Sequence, residues 1–294
     1  MYVLGLKNGK YGYLCRKTEM ANYDVRALQL RLLRILDVFA DVCRRHSLRY
    51  YLVDGTLIGA VREKGFIPWD DDLDVAMPRS DYELLAAHAD EWLPVPMQFI
   101  DHSRDKAYPL HFAKIQDCST TLVERRHLFY LGGIYIDVFP IDGAPSGKLA
   151  RRLHSFRYDV LRKALYFSCR DPYRHGRGAA SWLPRLLRKW PGSERLQRMI
   201  RREMTRYSFE NNEDCGINLN DGTKAMLSRK DVLGDGTPVL FEGKEYMGMK
   251  DNDAYLSSLF GDYMTPPPPG SRHVHAFHYL DLDTPFAESG ITNM

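Results

Sequence analysis

The sequence predicts an α+β fold with an α/β start: a mixed sheet with flanking helices, interrupted by a basic helical insertion. Three observations carry this. A helical apolar period leads directly into a short aromatic and β-branched run. Several short strand-like runs crowd the middle of the chain. Between them and the C-terminal third lies a segment of very different charge. At 294 residues and 44% hydrophobic, the chain can bury a sizeable core. It is expected to form a single domain over 1–294, with the insert at about 146–210.

Met1 to Lys17 carries Gly5, Gly9 and Gly12 between aromatics and suggests a small hairpin. From Val25 to His46, Leu28, Leu32, Leu36, Phe39 and Cys43 recur at helical spacing. Tyr50–Val53 then reads as a short buried strand. Asp54-Gly55-Thr56 breaks it, and Leu57–Arg62 opens a helix in which Gly59 and Ala60 permit close packing. Ser80 followed by Glu83 resembles a capping box and starts a helix running toward Trp92. Strands are expected at Gln98–Asp101, Phe112–Gln116, Thr121–Glu124 and Ile134–Phe139, with Asp142 as a turn residue before Gly143. Val239–Phe241 and Glu245–Met249 form a hairpin around Glu242-Gly243. Asp253–Phe260 is a helix stopped by Gly261, and Pro266–Pro269 forces an extended segment.

The insertion stands out by charge. Lys148 to Arg206 holds seventeen Lys/Arg against four acids, a local excess of +13 in a chain whose net charge is only +3. Leu149, Leu153, Phe156, Val160, Leu161 and Leu165 suggest one helix with an apolar face; Trp182, Leu183, Leu186, Leu187 and Trp190 suggest another. Basic amphipathic helices with tryptophan lie on anionic membranes, so peripheral membrane contact through 148–206 is one expectation. A solvated insert packed on the core is the plainer one, and RNA binding a third.

The chemistry concentrates in Pro68-Trp69-Asp70-Asp71-Asp72-Leu73-Asp74-Val75. In a strand, Asp72 and Asp74 share a face while Leu73 and Val75 pack the other way. Two parallel carboxylates repel, and one would keep a proton unless a cation intervened. A hard ion such as magnesium takes one or two carboxylates together with substrate phosphates and waters. Upstream, strand, glycine turn and helix start at Asp54, Gly55 and Thr56 form a geometry that presents backbone N–H groups to an anion. Asp137, alternating with Ile136 and Val138, is a lone acid in an apolar strand. It is either salt-bridged to an arginine or a third carboxylate beside Asp72 and Asp74.

Strand, Gly-Thr turn, helix and an Asp-x-Asp strand resemble the nucleotidyltransferase fold. More closely, Asp54 to Tyr82 resembles the LicD family, which contains bacterial phosphocholine transferases and, more distantly, fukutin-type ribitol-phosphate transferases. Phe112-Ala113-Lys114-Ile115, Gly133–Pro140 and Phe260-Gly261-Asp262-Tyr263-Met264 match as well, so the resemblance spans roughly residues 30 to 280. It implies that Asp72, Asp74 and Asp137 are catalytic residues and ligands of Mg2+ or Mn2+. It also implies a substrate site drawing on Asp54, Gly55, Thr56, Arg62 and Lys114, the last two as phosphate contacts. The implied reaction moves a phospho-alcohol from a CDP-alcohol donor, CDP-choline favoured, to a hydroxyl of a cell-surface glycan, which can be lipid-linked. One of the acids would serve as general base toward that hydroxyl.

Other features bound this reading. The near-balanced charge gives no support to a general nucleic-acid role. No run reaches the ~18 apolar residues of a membrane span, and Met1–Lys17 lacks the apolar block of a signal peptide, so a cytoplasmic location is expected, peripheral at the inner membrane face if the insert binds lipid. Five scattered cysteines without a CxxC pair indicate neither a zinc ribbon nor a disulfide framework. His273, His275 and His278 fit no standard zinc spacing. Two other classes stay open: a nucleotidyltransferase moving NMP to a small molecule or protein, distinguished by pyrophosphate rather than CMP release, and a non-catalytic binding protein.

Overall fold

The computed structural model describes residues 5–7, 10–12, 23–174, 176–178, 181–217, 219–268, 270, 272 and 277–291. His273 and His275 lie outside them, as does Cys15. Near the N-terminus, β1 (Gly5–Lys7) and β2 (Lys10–Gly12) pair antiparallel as a small hairpin.

Helix α1 (Val25–Arg45) follows the apolar period. It is capped by Asp24, whose carboxylate accepts from the Arg26 and Ala27 N–H groups at 2.9 and 3.2 Å. Leu28, Leu32, Ile35, Leu36, Phe39 and Val42 form its buried face against the sheet. A buried amide would be costly on that face without partners. Gln29 supplies them by donating through Nε2 to the carbonyls of Ile67 and Asp70, at 3.2 and 2.8 Å. The main helix thus grips the loop that delivers the acidic run.

The sheet is mixed. In chain order its strands are β3 (Tyr51–Leu52), β4 (Asp74–Pro78), β5 (Met97–Ile100), β6 (Ala113–Val123), β7 (Leu131–Ala144), β8 (Asp214–Ile217), β9 (Met226–Ser228) and β12 (Tyr279–Asp281). The spatial order β12-β6-β7-β4-β3 is extended by β5 on β6, by β8 on the C-terminal end of β7 and by β9 on β8. All these pairings are antiparallel except β4 with β7. The crossover between those two parallel strands includes helix α3 (Arg79–Trp92), β5 and β6.

Several expectations are corrected. The runs at 112–116 and 121–124 are one strand, β6, with a bulge between Asp117 and Leu122. The Ser80/Glu83 capping box does not form: α3 starts at Arg79 after Pro78, without a side-chain cap, and the Ser80 hydroxyl instead donates to Glu210 at 3.1 Å. Asp142 is no turn residue; it lies inside β7, paired with Gly216 of β8. Asp54-Gly55-Thr56 does not precede the helix but forms its first turn, α2 (Asp54–Ile58), continued by a π-helical turn at Gly59–Glu63.

Between β7 and β8 the chain inserts α4 (Lys148–Cys169), α5 (Trp182–Lys189) and α6 (Ser193–Met204). Tyr158, Leu165, Leu196, Ile200 and Met204 close a second, smaller core with Ala144 and Met226. Strands β10 (Thr237–Phe241) and β11 (Lys244–Gly248) form the expected hairpin, with Glu242 and Gly243 both at positive φ as a two-residue turn of this hand requires. Helix α7 (Asn252–Phe260) ends at Gly261, also at positive φ. No helix among the described residues is long and apolar enough to cross a membrane.

Candidate active site

Register across three strands builds the centre of the site. Asp74 on β4 stands opposite Asp137 on β7, and Asp137 stands opposite Lys114 on β6. Directly paired residues project from the same face of a sheet, so two acids and a lysine form one row. Leu73, Val75, Ile136 and Val138 are fully buried behind them, which fixes the face the acids must take. Asp72 precedes β4 by two residues and keeps the same alternation. The Asp137 N–H donates to the Leu73 carbonyl at 2.9 Å, holding Asp72 and Asp74 beside it.

The upstream motif supports this row. The Thr56 hydroxyl is buried and accepts from the Asp74 N–H at 2.8 Å. Asp54, at a φ of 47°, accepts from the Tyr255 hydroxyl at 2.8 Å. Gly55 lies so close to the acidic loop that a Cβ there would come within 2.9 Å of Asp70 Oδ2. Arg62 is drawn into the scaffold: Nη1 donates to the Tyr263 carbonyl at 2.6 Å and Nε to Glu63 at 2.8 Å. Among the described residues, the acids whose carboxylate oxygens all come within 4.8 Å of one another are Asp70, Asp71 and Asp72; Asp74 and Asp137 are not part of that group. Asp71 accepts from the Tyr23 hydroxyl. Asp70 and Asp71 were passed over as candidate ligands in the sequence, although they belong to the same run.

Such crowding raises the proton affinity of Asp74 and Asp137. Burial, and then the charges of Asp72, Asp137, Asp54 and Asp70, push Asp74 well above the usual carboxylate range. Burial lifts Asp137 to about 6; Lys114 opposes the lift, while Glu124 and Asp72 add to it. Lys114 Nζ lies 3.3 Å from Asp137 Oδ1 and 3.2 Å from Glu124 Oε2, and 3.0 Å from the centre of the Tyr135 ring. The Tyr135 hydroxyl donates to Glu124 at 2.8 Å. Burial tends to raise Glu124, but the Lys114 and Arg125 charges with these hydrogen bonds prevail and hold it down at about 2. The ion-pair partner of Asp137 is therefore a lysine on the neighbouring strand rather than an arginine.

In front of this row opens a cavity of about 310 Å³. Asp72, Asp137, Lys114 and Glu124 form part of its wall, and Tyr108, Phe112, Tyr130, Tyr135 and Tyr166 supply aromatic surface. The Tyr108 hydroxyl there is buried without a hydrogen-bond partner, and Asp137 Oδ1 is buried with the Lys114 ammonium 3.3 Å away. Tyr108 is 1% exposed, and its hydroxyl is free to bond a water or ligand in the cavity. Tyr135 comes from β7, whereas Tyr108 and Tyr130 come from separate loops and Tyr166 from α4, with no local pattern in the sequence to announce those three.

Residues 47–144 match the profile of the LicD/FKTN/FKRP family, nucleotidyltransferase domain. The chain is 28% identical over 265 residues to the lipopolysaccharide cholinephosphotransferase LicD of Haemophilus influenzae, an alignment covering 87% of this chain and 97% of that protein. It is also 28% identical over 112 residues to an uncharacterized protein of Rickettsia prowazekii, over 38% of this chain and 41% of the other.

Proposed function

We propose, from the match of residues 47–144 to the LicD/FKTN/FKRP nucleotidyltransferase domain and the similarity to the Haemophilus influenzae protein, that this chain is a phosphotransferase moving a phospho-alcohol from a CDP-alcohol to a hydroxyl of a cell-surface glycan. Lipopolysaccharide, teichoic acid or a similar polymer is the acceptor class, and phosphocholine from CDP-choline is the favoured group. The observation that carries this is the Asp74–Asp137–Lys114 row, of which Asp137 and Lys114 line an aromatic cavity.

The donor set fits a hard divalent cation. The acids are oxygen ligands, and the raised proton affinity of Asp74 and Asp137 marks crowded negative charge that a cation would relieve. Asp72, Asp74 and Asp137 would hold Mg2+ or Mn2+, which when bound neutralises the diphosphate and the charge developing on the leaving nucleotide. The remaining work belongs to side chains. Asp137 takes the proton of the acceptor hydroxyl. That oxygen attacks the phosphorus bearing the alcohol, the bond to the CMP phosphate breaks, and CMP departs. Lys114 steadies Asp137 and offers positive charge to the phosphates. The tyrosine walls and Glu124 suit a small cationic alcohol, since an ammonium is attracted to aromatic faces. The ammonium of Lys114 already occupies the face of Tyr135, which leaves Tyr108, Tyr130 and Tyr166 for a ligand.

A donor panel of CDP-choline, CDP-ribitol and CDP-glycerol, assayed for CMP with Mg2+ and a glycan acceptor, tests the proposal. CMP release greatest with CDP-choline supports it; no CMP from any donor, or pyrophosphate release from a nucleoside triphosphate, overturns it. Tyr108→Phe provides a sharper check. Losing an unpartnered buried hydroxyl is expected to leave the melting temperature unchanged or slightly higher. Losing its bond to substrate is expected to raise KM about 5- to 10-fold, the equivalent of about 1 kcal/mol.

A further inference from the structure

Helix α4 is apolar on two opposite sides. His154, Tyr158 and Leu165 are buried on one. At about 100° per residue, Leu149, Leu153, Phe156 and Val160 fall together on the other, and they are between 46% and 80% exposed. Helix α5 repeats the pattern with Trp182, Leu186 and the adjoining Trp190, exposed by 60%, 49% and 68%. Water-facing rows of this kind are uncommon unless something covers them. Arg152, Arg157 and Lys163 flank the α4 row by the same helical geometry, and Arg185 and Lys189 accompany the row on α5.

We propose that this surface docks the protein on an anionic lipid bilayer, the apolar rows entering the headgroup boundary and the basic side chains reaching outward to lipid phosphates. Charge selects this occupant. The excess of +13 over 148–206 would make a second copy of the same face repel it, while the surface potential of an anionic leaflet attracts it. The aliphatic members of the rows separate a bilayer from RNA: Leu149, Leu153 and Val160 have no use on a phosphate backbone but gain from burial among acyl chains. The position is also suggestive. The C-terminal half of α4 lines the catalytic cavity through Arg162, Leu165 and Tyr166. One helix therefore connects a lipid-facing row with the site that would receive an acceptor.

The full chain, sedimented with phosphatidylcholine vesicles containing about 30% phosphatidylglycerol, is expected to bind at low salt and to dissociate as salt screens the charge. Vesicles of phosphatidylcholine alone should retain little. Each reversal at Arg152→Glu or Lys163→Glu moves the charge by two and should weaken binding about 30-fold, at about 1 kcal/mol per charge. Leu153→Ser with Phe156→Ser, which leaves Trp182 and Trp190 as reporters, should diminish the vesicle-dependent blue shift of tryptophan fluorescence while CMP release from a water-soluble donor and acceptor stays at the wild-type rate. No sedimentation at low salt overturns the proposal. So does binding indifferent to these variants, preferential retention of a single-stranded RNA oligonucleotide without vesicle binding, or self-association that the Phe156→Ser change removes.

Discussion

Asp137→Asn is expected to reduce phospho-alcohol transfer by at least ~10²–10³-fold and, in the same preparation, to make the metal-free protein more stable at pH 8. The two effects have one cause. Asp137 is lifted from an ordinary 3.8 to about 6 by burial and by neighbouring acids, against the pull of Lys114. Its folded-state value thus lies above its unfolded one. The folded protein favours the protonated acid, so this contribution to stability is fully present below about pH 4 and is lost as pH rises to about 6. About two units correspond to about 3 kcal/mol at most. Thermal melts in EDTA should therefore show wild-type stability falling across that window, with a shallower fall for Asp137→Asn. Asp74→Asn should behave alike, since burial and the same neighbours push Asp74 upward. Mg2+ should reverse the order, adding about 2.7 kcal/mol to wild type at a hundredfold excess over Kd and little to either variant. A variant that retained full transfer, or gained as much stability from Mg2+ as wild type, would remove these acids from the site.

The acids were legible in the sequence because their surroundings are local. Leu73 and Val75 beside Asp72 and Asp74, and Ile136 and Val138 beside Asp137, set the strand period without any knowledge of the partners. The row itself was not legible. β4 and β7 are joined by a crossover, and nothing in either strand states that Asp74 faces Asp137 rather than a residue two places away. Lys114 was singled out for phosphate, yet its place between Asp137 and Glu124 depends on a third register. The cavity lay further out of reach. Tyr108, Tyr130 and Tyr166 come from two loops and a helix in the insertion, brought together by packing alone. The errors share a mechanism too. Ser80 and Glu83 have the spacing of a cap, but Pro78 sets the start of α3 so that Ser80 falls within the first turn. Asp142-Gly143 has the chemistry of a turn, but pairing with β8 carries the strand through it.

Arg79→Met is expected to cost about 3–5 kcal/mol of stability, a fall on the order of 10 °C in melting temperature. Asp142 is 6% exposed and receives a two-pronged hydrogen bond from Arg79, Nε to Oδ1 at 2.7 Å and Nη2 to Oδ2 at 2.5 Å. Removing the guanidinium strands a carboxylate away from water, a penalty far larger than the pair's net contribution. Asp142→Leu together with Arg79→Met should therefore recover most of the loss, and the recovery measures the coupling. An exposed, replaceable pair would instead give a single-mutant cost below about 1 kcal/mol and no recovery. The position of the pair extends its effect to catalysis. Arg79 directly follows the end of β4, and Asp142 follows Ile141, the β7 residue paired with Pro78. The bridge thus clamps the same two parallel strands that hold Asp74 and Asp137 at their other ends. Loosening one end of a parallel pair should disturb the alignment of the acids at the other, so Arg79→Met should lower kcat even at temperatures where it remains folded, and the double variant should restore stability more fully than rate.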